Sequence, residues 1–270
     1  MVSSAEARSF RATVEYDGTA YFGFQRQRRG PNRVGVSIQE ELEEALGRLA
    51  GHPIRVTGAG RTDTGVHALG QVIGFTIEWP QRRGDAALLR ALNASLPPDI
   101  AVRTLAEALP GFHPRFDARR RTYEYRVLNA PVRRPLLRWR AWHVAAVLDE
   151  AQMNVAAARL VGMRDFATFG RPPVGDNTTR TIYSAAWRRE SDLLIFRVVA
   201  NAFLHRMVRS LVGSLRKVGD GSWSVDDFAV ALAACDRKRS ASAAPAHGLY
   251  LVSVEYDTSD ELRVTRYSDE

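Results

Sequence analysis

Asp63 lies in the segment Gly58-Ala59-Gly60-Arg61-Thr62-Asp63-Thr64-Gly65-Val66-His67-Ala68, between two apolar runs. Glycines at 58, 60 and 65 let a backbone approach a ligand closely, and one carboxylate stands among them. A carboxylate so placed can serve as a nucleophile or as an electrostatic catalyst. Arg61 strengthens that reading, because a neighbouring guanidinium keeps a carboxylate ionised and oriented. The plainer alternative is a turn-forming aspartate beside a surface arginine, and the local sequence leaves it open.

Other chemistries fit less well. Asp63-Thr64-Gly65 matches the active-site triplet of aspartic proteases, which need two carboxylates sharing a proton. The triplet occurs once, so only a homodimer could supply the second, and Arg61 would favour ionisation of both acids. His52, His67, His113, His143, His205 and His247 show no His-Glu-x-x-His or related spacing, so no metal site is expected. The sequence lacks a Gly-x4-Gly-Lys-[Ser/Thr] phosphate loop. Gly58 and Gly60 begin a dinucleotide fingerprint, but its last glycine position is Asp63. No Gly-x-Ser-x-Gly elbow supports a Ser/His/Asp triad. A lone cysteine, Cys235, excludes an internal disulfide and a cysteine-rich zinc site.

The 270 residues suffice for one large domain or two ordinary ones. At 45% hydrophobic and 25% charged, the composition is that of a soluble globular protein. No apolar run approaches the roughly 18 residues that span a bilayer. MVSSAEARSF carries no signal-peptide core, and a cytoplasmic location is expected. A net charge of +8 points to an anionic partner. Only Lys217 and Lys238 are lysines among 38 basic residues; a GC-rich coding sequence would explain that preference but not the excess of positive charge. Three arginine clusters stand out: Arg26, Arg28, Arg29 and Arg33; then Arg115, Arg119, Arg120 and Arg121; then Arg133, Arg134, Arg138 and Arg140. Interleaved with Tyr21, Phe24, Phe116, Trp139 and Trp142, they suit a surface that grips phosphates and stacks on exposed bases. Trp139 and Trp142 can equally be read as core.

The elements that must position these groups follow from periodicity. Phe10, Ala12, Val14 and Tyr16 alternate as a half-buried strand. Ser37 and Glu40 form a capping box for a helix with the stripe Ile38, Leu42, Ala45, Leu46 and Leu49, closed by Gly51 and Pro53. A short strand is predicted over Ile54 to Thr57, a longer one over Gln71 to Glu78, a helix capped by Asp85 and ending at Leu96, and a strand near Ile100 to Leu105. A second set begins after Leu109-Pro110-Gly111. It comprises a strand over Arg121 to Leu128 with Tyr123, Tyr125 and Val127 on one face, and a Pro- and Arg-rich loop over Pro131 to Arg140. A helix over Asp149 to Val161, strands over Thr179 to Arg189 and Leu193 to Val199, and an amphipathic helix over Phe203 to Val218 follow. A helix from Ser224 to near Cys235 and a strand over Leu249 to Tyr256 complete it. The order predicts an α+β fold built as two similar subdomains, residues 1–109 and 110–270, sharing a sheet with a cleft between them.

Gly60-Arg61-Thr62-Asp63-x-Gly65-Val66-His67-Ala68 resembles the catalytic motif of the tRNA pseudouridine synthase A family. Further segments are similar, in family order: Glu15-Tyr16-Asp17-Gly18-Thr19, Phe22-Gly23-Phe24-Gln25, Arg121-Thr122-Tyr123-Glu124-Tyr125, Asn201 to Arg209 and Gly248-Leu249-Tyr250-Leu251-Val252. The likeness runs from about residue 10 to residue 257. It implies the pseudouridine synthase fold, two ferredoxin-like subdomains sharing a mainly antiparallel sheet with a central cleft. It makes Asp63 the nucleophile, Tyr123 the ring that stacks on the target uracil, and Arg61 the residue that moves with the flipped nucleotide. Arg209 matches the basic partner of the aspartate, and Leu251 an apolar residue of the pocket. Thr64 and Phe24 depart from the family's commoner Ala or Ser and Trp, away from the chemistry. The implied reaction converts uridine to pseudouridine without a cofactor, at uridines 38, 39 and 40 of the tRNA anticodon stem-loop, by a homodimer that holds one tRNA. A catalytically silent tRNA-binding or RNA chaperone protein on the same scaffold is the alternative, which a changed Asp63 or Tyr123 would have favoured.

Overall fold

Strand β1 (Ala7–Tyr16) buries Phe10, Ala12, Val14 and Tyr16 and leaves the residues between them partly open, as their alternation predicts. The computed structural model describes residues 7–27, 35–80, 83–257 and 265–266. Two compact units make up the chain: Met1–Arg119 with Leu251–Glu270, and Arg120–Tyr250.

In the first unit, β1 is followed by α1 (Ile38–Ala50), β2 (Thr57–Gly58), β3 (His67–Glu78), α2 (Asp85–Ser95) and β4 (Ile100–Glu107). The strand order is β4-β1-β3-β2 and every pairing is antiparallel. That is the β-α-β-β-α-β plan of a ferredoxin-like unit. Leu42 and Leu46 of α1 and Leu88, Leu89 and Leu92 of α2 are buried with the β1 face. The capping box forms in full: Ser37 accepts from the Glu40 N–H, Glu40 accepts from the Ser37 N–H, and Gly51 closes α1 at φ 77°.

The second unit repeats the plan. It runs β5 (Arg120–Leu128), β6 (Trp142–His143), α3 (Glu150–Ala158), β7 (Gly162–Asp165), β8 (Thr179–Glu190), β9 (Leu193–Ala200), α4 (Met207–Gly219) and α5 (Val225–Ala233). The order β5-β9-β8-β7 is antiparallel throughout, with the short β6 parallel to β5. Strand β10 (Leu249–Glu255) begins in this unit, where Tyr250 lies under the Arg126 guanidinium at 4.0 Å, and its residues from Leu251 belong to the first. A final short strand, β11 (Thr265–Arg266), pairs with β4. Each unit is therefore α+β with mainly antiparallel strands, as expected.

Several expected boundaries move for identifiable reasons. Ile54, Arg55 and Val56 are not strand, because side chains of α1 take up Val56's backbone groups: its N–H donates to Glu43 Oε1 and its carbonyl accepts from Gln39 Nε2. Asp85 does not cap α2. Gly84 holds the cap position at φ 71°, and Asp85, one residue inside, pairs with Arg8 at 2.9 Å. Helix α3 stops at Ala158, and the unpredicted β7 begins at Gly162 with φ 105°. Helix α4 starts at Met207 rather than Phe203, because Arg206 sits in the left-handed region at φ 61° and breaks the helical run. Strand β5 is buried on both faces: Thr122, Tyr123, Glu124 and Tyr125 are all inside. The inward charge of Glu124 is answered by Arg197 at 2.9 Å and Arg188 at 3.3 Å.

Candidate active site

The Asp63 loop joins β2 to β3 and is fixed along its length by the first unit. The Ala59 N–H donates to Val72 O at 2.8 Å, and Gln71 Nε2 donates to Gly60 O at 2.9 Å. Thr62 is buried: its hydroxyl meets the Tyr16 hydroxyl at 2.8 Å, and its carbonyl accepts from the Phe24 N–H at 3.1 Å. A turn follows, in which the Val66 N–H donates to Asp63 O at 3.1 Å and Gly65 takes φ 79°. His67, 2% exposed, anchors the far end through Nδ1, which lies 3.1 Å from the Gly18 N–H and 3.0 Å from Asp17 Oδ1. One nitrogen either accepts from Gly18 or donates to Asp17, so it serves one of them at a time. With Thr62 and Val66 buried on either side, the half-buried Asp63 carboxylate is carried on a rigid segment.

Two segments that resemble the family motifs turn out to be this loop's scaffold. A methyl group added at Gly18 would lie 2.0 Å from Val66 O, and one added at Gly23 would lie 2.4 Å from Thr62 O. Gly23 also holds φ 77°. Gly23→Ala is therefore expected to cost roughly 1–3 kcal/mol through forced φ and backbone displacement. It should lower the Tm and shift Thr62 in the variant that remains folded. An unchanged Tm would show that the close approach of Gly23 to the loop is not needed. Gly58, by contrast, makes room for the Phe24 ring, and open space surrounds Gly60.

Arg61 is exposed, and no ion pair joins it to Asp63 among the described residues, so the local pairing expected from their spacing is not made. Its guanidinium faces solvent. Leu251, in the same unit, is fully buried at the start of that unit's part of β10.

The second unit carries Tyr123 and Arg209. Tyr123 lies on β5 opposite Val198 of β9, is 9% exposed, and meets Phe203 edge-on at 5.0 Å. Beside it, Arg121 Nη1 donates to Asn201 O at 2.7 Å, and the Tyr125 hydroxyl donates to Pro245 O at 2.7 Å. Burial pushes the Tyr125 phenol up, which keeps it a donor. Gly248 leaves space for the Tyr125 ring, which an added methyl group would meet at 2.7 Å. Arg209, half-buried in the first turn of α4, is locked to Ala244: its Nε–H donates to Ala244 O at 2.7 Å, and its carbonyl accepts the Ala244 N–H at 2.9 Å. Burial pushes His247 below its ordinary value, a hydrogen bond to the Ala141 backbone opposes the shift, and the Arg209 charge adds to it. His205 and Arg206 are exposed.

The aromatics that interleave the arginine clusters divide between surface and core. Phe116 is 73% exposed and Trp139 49%, but Tyr21 and Phe24 are buried core residues. The Tyr21 hydroxyl donates to Asp99, and Phe24 packs against Tyr16 at 6.3 Å. Arg119 pairs with Asp257 at 2.8 Å and Arg134 with Asp192 at 3.6 Å, both on the surface where such pairs are weak. Arg28, Arg29 and Arg33 lie outside the described residues. Among the described residues, no group of His, Cys, Asp or Glu could hold a metal ion, and no helix is long and apolar enough to cross a membrane.

Comparison with known proteins gives a consistent result. The family model described as tRNA pseudouridine synthase matches residues 12–117 and 156–257. A tRNA pseudouridine synthase A from Rhodospirillum rubrum is 44% identical over 249 residues, 92% of this chain and 87% of that protein. One from Aeromonas hydrophila is 43% identical over 244 residues, 90% of this chain and 88% of that protein. One from Pelobacter propionicus is 42% identical over 250 residues, 92% of this chain and all of that protein.

Proposed function

Because the chain belongs to the tRNA pseudouridine synthase family and is an isomerase acting on tRNA, we propose that it modifies the anticodon stem-loop at uridines 38, 39 and 40, with Asp63 as the nucleophile. The observation that carries this reading is the Asp63 loop itself. A half-buried carboxylate stands between buried Thr62 and Val66 on a segment tied to β1, β3 and the Gly18 and Gly23 turns. A catalytic carboxylate needs that fixity, because misplacement by about 1 Å costs on the order of 100-fold in rate.

In the proposed reaction the target nucleotide leaves the stack, at a cost of a few kcal/mol. The Asp63 carboxylate acts on the nucleotide as a nucleophile while the C1′–N1 bond breaks. The detached uracil turns, C5 bonds to C1′ as the carboxylate leaves, the C5 proton is lost and N1 gains one. No atom is added or removed overall, so the step calls for no redox cofactor or second substrate. Tyr123 holds the uracil by stacking, a task suited to a ring whose orientation is fixed by Phe203. Arg61, free of any local ion pair, follows the flipped nucleotide through its phosphate. Arg209, oriented by Ala244, supplies positive charge to the bound substrate, and Leu251 gives an apolar wall. A homodimer in the cytoplasm, holding one tRNA between its subunits, completes the proposal; the net charge of +8 supports such a surface.

The position is tested by incubating purified protein with unmodified tRNA transcripts and mapping pseudouridine by carbodiimide adducts that stop reverse transcription. Stops confined to 38, 39 and 40 are expected. Stops elsewhere, with none in the anticodon stem-loop, would refute the substrate assignment while leaving the family chemistry intact.

A further inference from the structure

Three arginines distant in sequence meet around the first turn of α4. Arg206 is its N-cap residue, held at φ 61°. Arg171 is joined to the same corner by a bridge with His205, whose N–H donates to Arg171 O at 2.9 Å. Arg237 reaches in from the segment after α5: its Nη1 donates to Thr168 O at 2.9 Å and contacts Ser210 Oγ at 3.4 Å. Ser210 lies one helical turn beyond Arg206, and Thr168 lies three residues before Arg171. These anchors place the Arg237 guanidinium against the two backbone segments that carry Arg171 and Arg206. Burial lowers its proton affinity, and the charges of Arg171 and Arg206 lower it further.

Among the described residues none of the three guanidiniums forms an ion pair with a carboxylate. Nearby cations repel, and among the described residues only the Arg237 guanidinium of the three is anchored, by Thr168 O and Ser210 Oγ. An anion that joins them removes the repulsion. Guanidiniums present paired donors matched to phosphate oxygens, and the N-terminus of a 13-residue helix adds its own partial positive charge.

We propose that Arg171, Arg206 and Arg237 form a clamp for one backbone phosphodiester of the tRNA, next to Arg209 on the same helical turn. The clamp rests on the reading of the protein as a tRNA-modifying enzyme. It adds a binding residue, Arg171, from the loop between β7 and β8, and another, Arg237, from beyond α5, neither of which lies in a family-like motif.

The test reads affinity, so it does not depend on turnover. Purified full-length protein is titrated with a tRNA transcript by filter binding over a range of salt concentrations. Arg171→Ala removes a guanidinium that holds no hydrogen bond or ion pair among the described residues, so the fold should tolerate it. It is expected to raise Kd about tenfold, the loss of one charge-assisted contact. It should also reduce the slope of log K against log salt by about 0.7–0.9, the release of one counterion. Arg206→Asn, which accepts the left-handed backbone, should behave alike, with KM rising more than kcat falls. Unchanged Kd and slope in both variants, each with a native circular dichroism spectrum, would overturn the clamp. Inorganic phosphate is the second arm. A phosphate-induced rise in Tm that is lost in Arg171→Ala, with tRNA affinity unaltered, would reassign the corner to a small free anion. If wild-type protein binds tRNA with the expected slope but isomerises nothing, the proposed function fails and the clamp stands.

Discussion

Asp63→Asn is expected to abolish pseudouridine formation, with a loss of roughly 10⁴-fold or more, the scale seen when a nucleophile is removed from an otherwise intact site. Asparagine has the same shape, and the loop has several fixing contacts that do not use the carboxylate. They run through the Asp63 carbonyl, Thr62, Gly60 and His67. Fold and tRNA affinity should therefore be kept, with binding changed by no more than about 0.5 kcal/mol, as for a local isosteric change. The two measurements are single-turnover pseudouridine formation and filter binding. Turnover within tenfold of wild type would remove Asp63 from the nucleophile's role. Loss of activity together with loss of tRNA binding would instead mean that the carboxylate acts in assembly of the site.

The second large effect is expected at Tyr123. Base–aromatic stacking contributes about 1–3 kcal/mol, so removing the ring should lower kcat/KM by on the order of 100-fold. Tyr123→Ala tests this crudely, because the side chain is 9% exposed and packs on Phe203, and truncating a buried aromatic costs about 3–5 kcal/mol of stability. Tyr123→Leu is the sharper variant. It keeps more apolar volume than alanine, which lowers the stability cost, and removes the planar face. A folded Tyr123→Leu protein with near wild-type kcat/KM would contradict stacking by Tyr123. A defect confined to KM, with kcat unchanged, would place the ring in initial binding, apart from the detached uracil.

The local signals were readable and the distant ones were not. The alternation of Phe10, Ala12, Val14 and Tyr16 and the Ser37–Glu40 capping box depend on residues within one element, and both form as expected. The Asp63 motif was visible for the same reason: its residues are contiguous. What holds that motif in place was hidden, because Tyr16, Gly18 and Gly23 act on it from about 40–50 residues away, and no periodicity reports such partners. Tyr21 and Phe24 looked like stacking residues because aromatics among arginines suit an RNA surface, yet tertiary packing takes both into the core. Of the strand expected over Ile54 to Thr57 only Thr57 is strand, because side chains of α1 that a strand pattern cannot reveal take up the Val56 backbone. Likewise, the apolar stripe of α4 suggested a start at Phe203, while the left-handed backbone of Arg206 sets the start at Met207. The corner formed by Arg171, Arg206 and Arg237 brings together residues that no cluster in the sequence joined.

The central claim is that this chain isomerises uridine in the anticodon stem-loop through its own side chains. The most direct measurement is tritium release from tRNA carrying 5-tritiated uridine, with purified protein in a chelator-containing buffer and no added nucleotide. The account predicts release of one tritium per target uridine at 38, 39 and 40, and none from Asp63→Asn. Tight binding of the tRNA by wild-type protein with no tritium released, or equal release by the Asp63→Asn variant, would contradict it.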